Sequence, residues 1–416
     1  MSRIGRRFGL VFLGLALQGM PVSATEVISS SAELQSGLKD AEPGAVLRLA
    51  GGEYGSLDFS GRLGTAGASV TLQADDPKNP PRFSGMTLRK VENLVIDGLV
   101  FDYDFKSGDK IHNRPFQILG ARNVTVRNSL FDGDVARGVS SVDDGFGYGF
   151  ALVIRDSTDI RVENNEFDGF YCGVTFNGIS GLLVAGNDVH SMRMDGLKFA
   201  QVTDVVIKDN HIHDFNRSKT SADHADMIQF WTAGTTQPSR NVTIRDNILN
   251  SGTGWYTQSI FMRNDMVDKG KAGPEMFYRD ITIENNVIIN AHANGITVGE
   301  TDGLIIRNNT LIRNHLSKGT KQKEETSIPK IRVSQRADAV TIRGNVVGKI
   351  MGYKQQPSWD VSDNILIQDS NPTGPGYYDH IFVAARTGDP QNLASFTYRA
   401  GGQLDRSTSG AAQLRK

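Results

Sequence analysis

The segment between residues 193 and 231 holds the densest group of acidic, basic, imidazole and indole side chains in the sequence. Its members are Arg193, Asp195, Lys198, Asp223, His224, Asp226, Gln229 and Trp231. Such groups suit proton transfer beside a bound sugar, because carboxylates, amines and imidazoles exchange protons. We therefore predict an active site here, with Trp231 as the platform for a sugar ring. The other predicted substrate-binding residues are Gln229, Asp223, Arg193 and, further along the chain, Arg332.

One reaction that fits these residues is β-elimination from a uronic acid. The substrate carboxylate must be neutralised, a base must remove the proton at C5, and an acid must protonate the departing oxygen. Lys198 is a candidate base if neighbouring cations lower its pKa, and Arg263 is a candidate clamp for the carboxylate. His224 would serve as the acid or as an alternative base. C5-epimerisation needs the same groups and differs only in where the proton returns.

A second reaction that fits is glycoside hydrolysis by a carboxylate pair, with Asp195 opposite Asp226 or Asp223. Retaining enzymes need about 5 Å between the two carboxyl groups and inverting enzymes about 6.5–9.5 Å. The same three aspartates offer oxygen ligands that could hold Ca²⁺. A non-catalytic carbohydrate-binding protein stays open as a third class, and it would predict an aromatic-rich groove with no need for Lys198, His224 or Asp226.

A short repeated unit must position these side chains. An aliphatic residue stands three positions before an asparagine, an apolar residue stands two after it, and a short apolar strand follows. The asparagines of this unit are Asn165, Asn187, Asn210, Asn247, Asn286, Asn309, Asn345 and Asn364. A base period of about 22 residues is typical of solenoids. The apolar residues alternate within each unit, as Leu197 and Phe199 do, which indicates strands.

Stacked strand coils with an asparagine at each turn predict an all-β fold, a right-handed parallel β-helix. The repeated [Val/Ile]-x-[Asn/Asp/Gly]-Asn-x-[apolar] unit resembles the pectate-lyase-like superfamily, over about residues 45 to 366. This resemblance implies a polysaccharide lyase, a glycoside hydrolase or a C5-epimerase. Alginate lyases of this superfamily use a lysine and an arginine on successive coils, which Lys198 and Arg263 match in residue type.

Stacking also predicts which side chains become neighbours, because coils lie about 4.8 Å apart and alternate residues of a strand point outward. The predicted outward column is Thr175, Lys198, Gln229, Phe261, Thr297 and Arg332, with Asn177, Ala200, Trp231, Arg263 and Gly299 in the next column. Asp195 and Asp226 precede their strands by the same interval and should therefore be near neighbours. His190, His211 and His213 lie beside the asparagine turns, and we expect structural roles for them.

The unequal steps between asparagines locate the insertions, at residues 132–148, around the strand of Ile228, at Arg263–Tyr278 and at His315–Lys330. Insertions in solenoids often gather on the binding face. These loops would wall a groove for an extended chain, so a polysaccharide is the expected partner.

The two ends of the chain differ from the repeats. Residues 1–24 are predicted to be a signal peptide, with Arg3, Arg6 and Arg7 before an apolar run and a small-residue cleavage site. We expect the mature protein, without a membrane span, in the periplasm or outside the cell. Ser30 to Glu33 predicts a capping box and a short helix that covers the first coil. The β-helix with this cap is predicted over residues 25–371, and residues 372–416 are predicted to form a C-terminal cap and a disordered tail.

The composition limits the possible partners and chemistry. The chain has 416 residues and a formal net charge of −1, so no bulk electrostatic attraction to nucleic acid is expected. The single Cys172 excludes an intramolecular disulfide. We expect a monomer.

Overall fold

Parallel strands coil around one apolar core along the whole repeat region of the chain. The computed structural model describes residues 27–254, 257–316 and 327–415. The predicted signal peptide and residues 317–326 of the predicted insertion at His315–Lys330 lie outside the described residues.

Within the described residues, to which the strand counts below also refer, two long parallel sheets and one antiparallel pair contain the strands. The longer sheet has 20 strands, which are Val46–Leu49, Ser56–Arg62, Val70–Ala74, Gly85–Asp97, Phe116–Leu119, Arg122–Arg127, Phe150–Glu163, Cys172–Ala185, Leu197–Ala200, Thr203–Lys208, Ala225–Phe230, Arg240–Arg245, Thr257–Met262, Tyr278–Glu284, Asn294–Val298, Thr301–Arg307, Lys330–Val333, Asp338–Arg343, Ile350–Met351 and Asp360–Ser362. The shorter sheet has 12 strands, which are Gly52–Glu53, Pro81–Phe83, Val100–Asp102, Leu130–Asp132, Glu166–Asp168, Asp188–His190, His211–His213, Ile248–Asn250, Val287–Ile289, Thr310–Ile312, Val346–Val347 and Ile365–Leu366. Asp134–Val135 pairs antiparallel with Gly147–Tyr148 inside the first predicted insertion.

The longer sheet consists of two stacks, which we call the first and second ladders; the shorter sheet is the third ladder. The first ladder contains the outward column Val153, Thr175, Lys198, Gln229, Phe261, Thr297 and Arg332, each paired in register with the next. The second ladder contains strands such as Thr203–Lys208 and Arg240–Arg245. The column from Thr175 to Arg332 is the one predicted from the sequence, and the prediction of a parallel β-helix is confirmed.

The asparagines form a buried hydrogen-bonded stack between the second and third ladders. In each step the backbone N–H and the side-chain Nδ2 of one asparagine donate to Oδ1 of the next, as from Asn210 to Asn247 at 3.0 and 2.9 Å. The residue before the asparagine has a positive φ, 55° at Asp209 and 63° at Gly344. Only Gly, Asn and Asp adopt this conformation readily, which explains the Asn/Asp/Gly position of the repeated unit.

Removing one member of this stack should weaken the fold. Asn247→Ala takes away the acceptor of the Asn210 N–H in a fully buried turn, and an unpaired buried donor costs about 1–3 kcal/mol. We expect the free energy of unfolding in urea to fall by about that amount. Asn79→Ala, at an exposed loop position, should change it by less than about 0.5 kcal/mol. Equal effects of the two substitutions would contradict this role of the stack.

Helix α1, Ser31–Asp40, covers the first coil as predicted. Ser30 accepts the N–H of Glu33 at 3.3 Å, and the Glu33 carboxylate accepts the N–H of Ser29 at 2.7 Å. Leu34 and Leu38 are buried in the core. The other α-helices are α2, Asp265–Asp268, and α3, Tyr378–Ile381; the 3₁₀ helices are Pro274–Met276, Leu393–Phe396 and Ala412–Leu414. Within residues 27–254, 257–316 and 327–415, no helix has the length and apolar character needed to cross a membrane.

The C-terminal segment packs along the side of the β-helix. Phe382, Phe396 and Leu414 are buried with Val287 and Ile289 in a second apolar cluster. On strand Val287–Ile289 these two residues flank Ile288, which belongs to the main core, so they point outward from the third ladder. Ala412–Leu414 forms a 3₁₀ helix over this apolar surface and keeps it from water.

Candidate active site

An ion pair between Lys198 and Asp195 lies at the centre of the candidate site. Leu197 and Phe199 face the core and are fully buried, so the strand alternation turns Lys198 outward. Its Nζ lies 2.7 Å from Oδ2 of Asp195, whose side chain is 0% exposed, against 14% for Lys198. The thiol of Cys172 lies 3.9 Å from the same Nζ. The pair is therefore largely shielded from water, and each charge depends on the other.

Asp226 lies one coil further along and is also fully buried. Its backbone N–H donates to Oδ1 of Asp195 at 3.2 Å, which confirms that the two aspartates are neighbours. Its carboxylate accepts from Nε2 of Gln229 and from Nε2 of Gln258, both at 2.7 Å. Asn294 in turn donates to Oε1 of Gln258. These amides fix the Asp226 carboxylate in one orientation.

His224 is the exposed member of the group. Its Nδ1 lies 3.1 Å from Oδ2 of Asp226, and its side chain is 47% exposed. The hydrogen bond to Asp226 raises the pKa of His224 above its ordinary value, with burial acting in the opposite direction. A carboxylate that holds Nδ1–H leaves Nε2 as the basic nitrogen, and Nε2 lies on the far side of the ring from Asp226. His224 can therefore take up a proton from a ligand.

The charge of Lys198 differs from the sequence expectation. Burial acts to lower the pKa of Lys198, but Cys172, Asp195 and Asp226 raise it above its ordinary value. The net pKa of Asp195 is also raised, because burial and repulsion by Asp226 outweigh the attraction to Lys198. Lys198 needed cationic neighbours that lower its pKa to act as a base, whereas the carboxylates of Asp195 and Asp226 raise it. The raised pKa favours the ammonium form of Lys198, which suits the role of a fixed cation better than that of the suggested base.

A groove opens beside Lys198 on the first ladder. Its cavity has a volume of about 380 Å³ and is lined by Arg114, Phe150, Val153, Arg155, Thr175, Asn177, Lys198 and Trp231. Nζ of Lys198 lies 5.6 Å from the ring of Trp231 and 5.8 Å from the ring of Phe150. Arg114 and Arg155 are exposed. Three cations and two aromatic rings thus face one cavity, a combination that suits an anionic sugar.

Comparison with known proteins identifies the family. Residues 116–347, more than half of the chain, match the family described as right handed beta helix region. The chain belongs to the right-handed β-helix family. This confirms the predicted right-handed β-helix. No curated protein matches the sequence.

Solved structures resemble this β-helix protein at low sequence identity. The Dettilon tailspike protein has a TM-score of 0.53 and 13% identity, over 83% of this chain and 63% of the tailspike. PfbA, a surface adhesin of Streptococcus pneumoniae, has a TM-score of 0.49 and 14% identity, over 77% and 83% of the two chains. An alginate lyase from a Paenibacillus species has a TM-score of 0.39 and 15% identity, over 82% and 99%. At these identities the likeness concerns the fold alone.

The β-helix protein uses Arg193 and Asp223 to hold loops together. Arg193 is 2% exposed and lies between Asp143, at 2.7 Å, and Asp223, at 3.0 Å. The hydroxyl of Tyr171 also donates to Asp223, at 3.1 Å. This clamp joins the insertion at 132–148 to the loop before His224. The two residues predicted to bind substrate are therefore already occupied by contacts within the protein.

Arg263 and Arg332 are not brought to the Lys198 group. Arg263 donates to Asp268 in α2, at 2.9 Å, and its side chain is 51% exposed. Arg332 lies four coils beyond Lys198 in the same column, which is roughly 19 Å at the usual coil spacing. The column assignment placed Arg263 in the column next to that of Lys198. It could not show that the carboxylates of the α2 insertion would bind the Arg263 guanidinium instead.

Asp195, His224 and Asp226 place three possible ligand atoms within 4.8 Å of one another. Ca²⁺ prefers six to eight oxygen ligands, whereas one of these three ligands is an imidazole nitrogen. Asp195 already faces the ammonium of Lys198, and both oxygens of Asp226 accept hydrogen bonds from glutamine side chains. The suggested Ca²⁺ site at Asp195, Asp223 and Asp226 therefore does not fit this arrangement of side chains. Its third member, Asp223, is held in the Arg193 clamp.

Arg114 and Arg155 were missed by the sequence analysis. Arg155 pairs in register with Asn177, so extending the second predicted column by one coil would have found it. Arg114 lies on the segment before strand Phe116–Leu119 and approaches the ring of Phe150, at 5.7 Å. No repeat position marks that segment, so the fold alone revealed this residue.

Proposed function

We propose that this β-helix protein is a polysaccharide lyase that cleaves an acidic, uronate-containing chain by β-elimination. The observation that carries the proposal is the position of the Lys198 ammonium, which lines a cation-bordered groove and lies one coil from a half-exposed His224 that is hydrogen-bonded to the buried Asp226. A fixed cation and a nearby base are the two groups that β-elimination needs first. This geometry supports the proposal. The similar solved structures support only the fold.

The proposed reaction assigns a role to each of these residues. The ammonium of Lys198 neutralises the substrate carboxylate and makes the C5 proton acidic, while Arg114 and Arg155 bind the anionic chain. His224 Nε2 removes that proton, the C5–H electron pair forms the C4–C5 double bond, and the bond from C4 to the glycosidic oxygen breaks. The imidazolium of His224 then returns the proton to the departing oxygen, so one residue serves as base and acid.

Hydrolysis and non-catalytic sugar binding are less well supported by the site, whereas C5-epimerisation remains a second candidate. Hydrolysis by Asp195 and Asp226 would require carboxylates that reach the sugar, and both are fully buried with their oxygens engaged. C5-epimerisation shares every group with the lyase reaction. A sugar-binding protein without catalysis would not require the hydrogen-bonded His224–Asp226 pair one coil from Lys198.

The deciding experiment incubates the purified protein separately with alginate, pectate, glucuronan and bacterial exopolysaccharides. A new ultraviolet absorbance from an unsaturated uronate supports the lyase proposal. New reducing ends without that absorbance indicate a hydrolase, and altered C5 stereochemistry by NMR without cleavage indicates an epimerase. Binding without any product on these polymers would overturn the enzymatic assignment.

We also propose export of the protein, on the basis of the signal-peptide pattern of residues 1–24. Fractionation of cells that express the full chain, followed by N-terminal sequencing of the product, tests this. A product that retains Met1 in the cytoplasmic fraction would contradict export.

Arg155 should contribute to substrate binding more than to the chemical step. Arg155→Gln removes one groove cation without touching Lys198 or His224, so we expect KM to rise about tenfold, which corresponds to about 1.4 kcal/mol, with little change in kcat. Arg122→Gln is the control, because Arg122 is exposed on the second ladder. Steady-state kinetics on the cleaved polymer measure both constants. A fall in kcat at unchanged KM would place Arg155 in the chemical step instead.

A further inference from the structure

Two imidazoles and a carboxylate meet on the third ladder, away from the groove. Strand His211–His213 buries Ile212 in the core, so its two histidines both point outward. Asp188 pairs in register with His211. Oδ1 of Asp188 lies 2.8 Å from Nε2 of His213 and 3.5 Å from Nδ1 of His211. The three ligand atoms lie within 4.8 Å of one another.

The two distances from Asp188 lie on either side of the edge length of a tetrahedral metal site. The ring of His211 stacks on that of His213 with 4.0 Å between the centroids, so the half-exposed His211 would turn to direct its nitrogen at the ion. Zn²⁺ binds imidazole nitrogen at about 2.0–2.1 Å, so two ligand atoms on one tetrahedral ion lie about 3.3 Å apart. Two nitrogen ligands and one carboxylate oxygen favour Zn²⁺ over Ca²⁺ or Mg²⁺, which prefer oxygen. A water molecule would complete the four ligands, because these three side chains leave one position open.

An outer carboxylate is already in place behind one ligand. Oδ2 of Asp214 lies 2.7 Å from Nδ1 of His213, and the other oxygen of Asp214 accepts from Nε2 of Gln391 at 3.0 Å. Zinc-binding histidines commonly donate their second ring nitrogen to such a carboxylate, which fixes the tautomer and the ring orientation. Here that carboxylate also links the site to the C-terminal segment.

We propose that Asp188, His211 and His213 form a Zn²⁺ site, with Asp214 as its outer partner. The ion would join two neighbouring coils of the third ladder and, through Gln391, strengthen the attachment of the C-terminal segment. The sequence analysis expected structural roles for these histidines, and the proposal adds a metal ion to that role. The site shares no residue with the groove, so it does not depend on the proposed enzymatic function.

The test titrates Zn²⁺ into the full-length, metal-free protein in competition with a chromophoric zinc chelator. We expect the wild type to bind one equivalent of Zn²⁺. We expect His211→Asn and His213→Asn each to lose that binding. Asp214→Asn should weaken its binding by about 10–100-fold. His224→Asn, which alters the other three-residue group, should keep that equivalent, and Zn²⁺ should raise the melting temperature of the wild type but not of His211→Asn.

Two outcomes would overturn the proposal. Either the wild type fails to compete with the chelator, or His211→Asn retains the same zinc stoichiometry and affinity as the wild type. His211 serves as the main test because its side chain is 47% exposed, so this variant should fold. Circular dichroism of each variant separates loss of the metal from loss of the fold.

Discussion

His224→Asn is expected to lower kcat/KM for the acidic polysaccharide by about 10²–10⁴-fold, the usual contribution of a positioned acid–base group. Asparagine keeps a polar group near Asp226 but cannot accept the C5 proton. Because the His224 side chain is 47% exposed, the melting temperature should stay close to that of the wild type. His380→Asn, at an exposed position of the C-terminal segment, serves as the control.

The pH dependence of the wild type checks the same assignment. The base must be neutral, and the hydrogen bond to Asp226 raises the pKa of His224 above 6.5. The acid limb of kcat/KM should therefore lie above pH 6.5, with activity falling as the pH drops through it. The raised pKa of Lys198 keeps the cation in place at higher pH. A His224→Asn variant with wild-type activity, or one that keeps the acid limb, would remove His224 from the mechanism.

Lys198→Met is expected to abolish turnover and to lower the free energy of unfolding by about 3–5 kcal/mol. The loss of stability arises because removing one partner of a buried ion pair leaves the other charge uncompensated, here the carboxylate of Asp195. The loss should shrink as the pH falls, because Asp195 then becomes protonated and neutral. Urea unfolding at several pH values measures both effects.

Two further variants separate charge from packing. Asp195→Asn in the Lys198→Met background removes the buried anion and should recover most of the stability, while activity stays lost. Lys208→Met breaks a pair of similar distance, 3.1 Å, between partly exposed side chains, and should cost less than about 1 kcal/mol. If Lys198→Met were no more destabilising than Lys208→Met, the Lys198–Asp195 pair would not be the shielded contact described above.

The reassignment of Lys198 from base to cation has a clear physical origin. The sequence places Lys198, Asp195 and Asp226 in neighbouring columns. It does not determine which carboxylate oxygen lies next to the amine of Lys198. Burial strengthens every electrostatic interaction at this site. A buried amine next to a carboxylate therefore keeps its proton, and the task of accepting one passes to the less buried imidazole of His224.

Much of the fold was predictable because each coil repeats one local requirement. The position before each asparagine needs a positive φ, and each asparagine needs a partner above and below it, so Asp209-Asn210 and Asp246-Asn247 mark turns in the sequence itself. The strand alternation then assigns Lys198 and Gln229 to one outward column. The insertions lack such a repeat, and so the contacts of Arg263 and Arg193 with insertion carboxylates could not be predicted.

The sequence by itself therefore determined the coil, its asparagine stack and the column that carries Lys198, because these follow from periodic local rules. Only the tertiary structure decided the partners of each charged side chain. It paired Lys198 with Asp195, His224 with Asp226, and Arg193 with Asp143 and Asp223. Such pairings depend on distances and burial between segments far apart in the chain, and no local pattern encodes them.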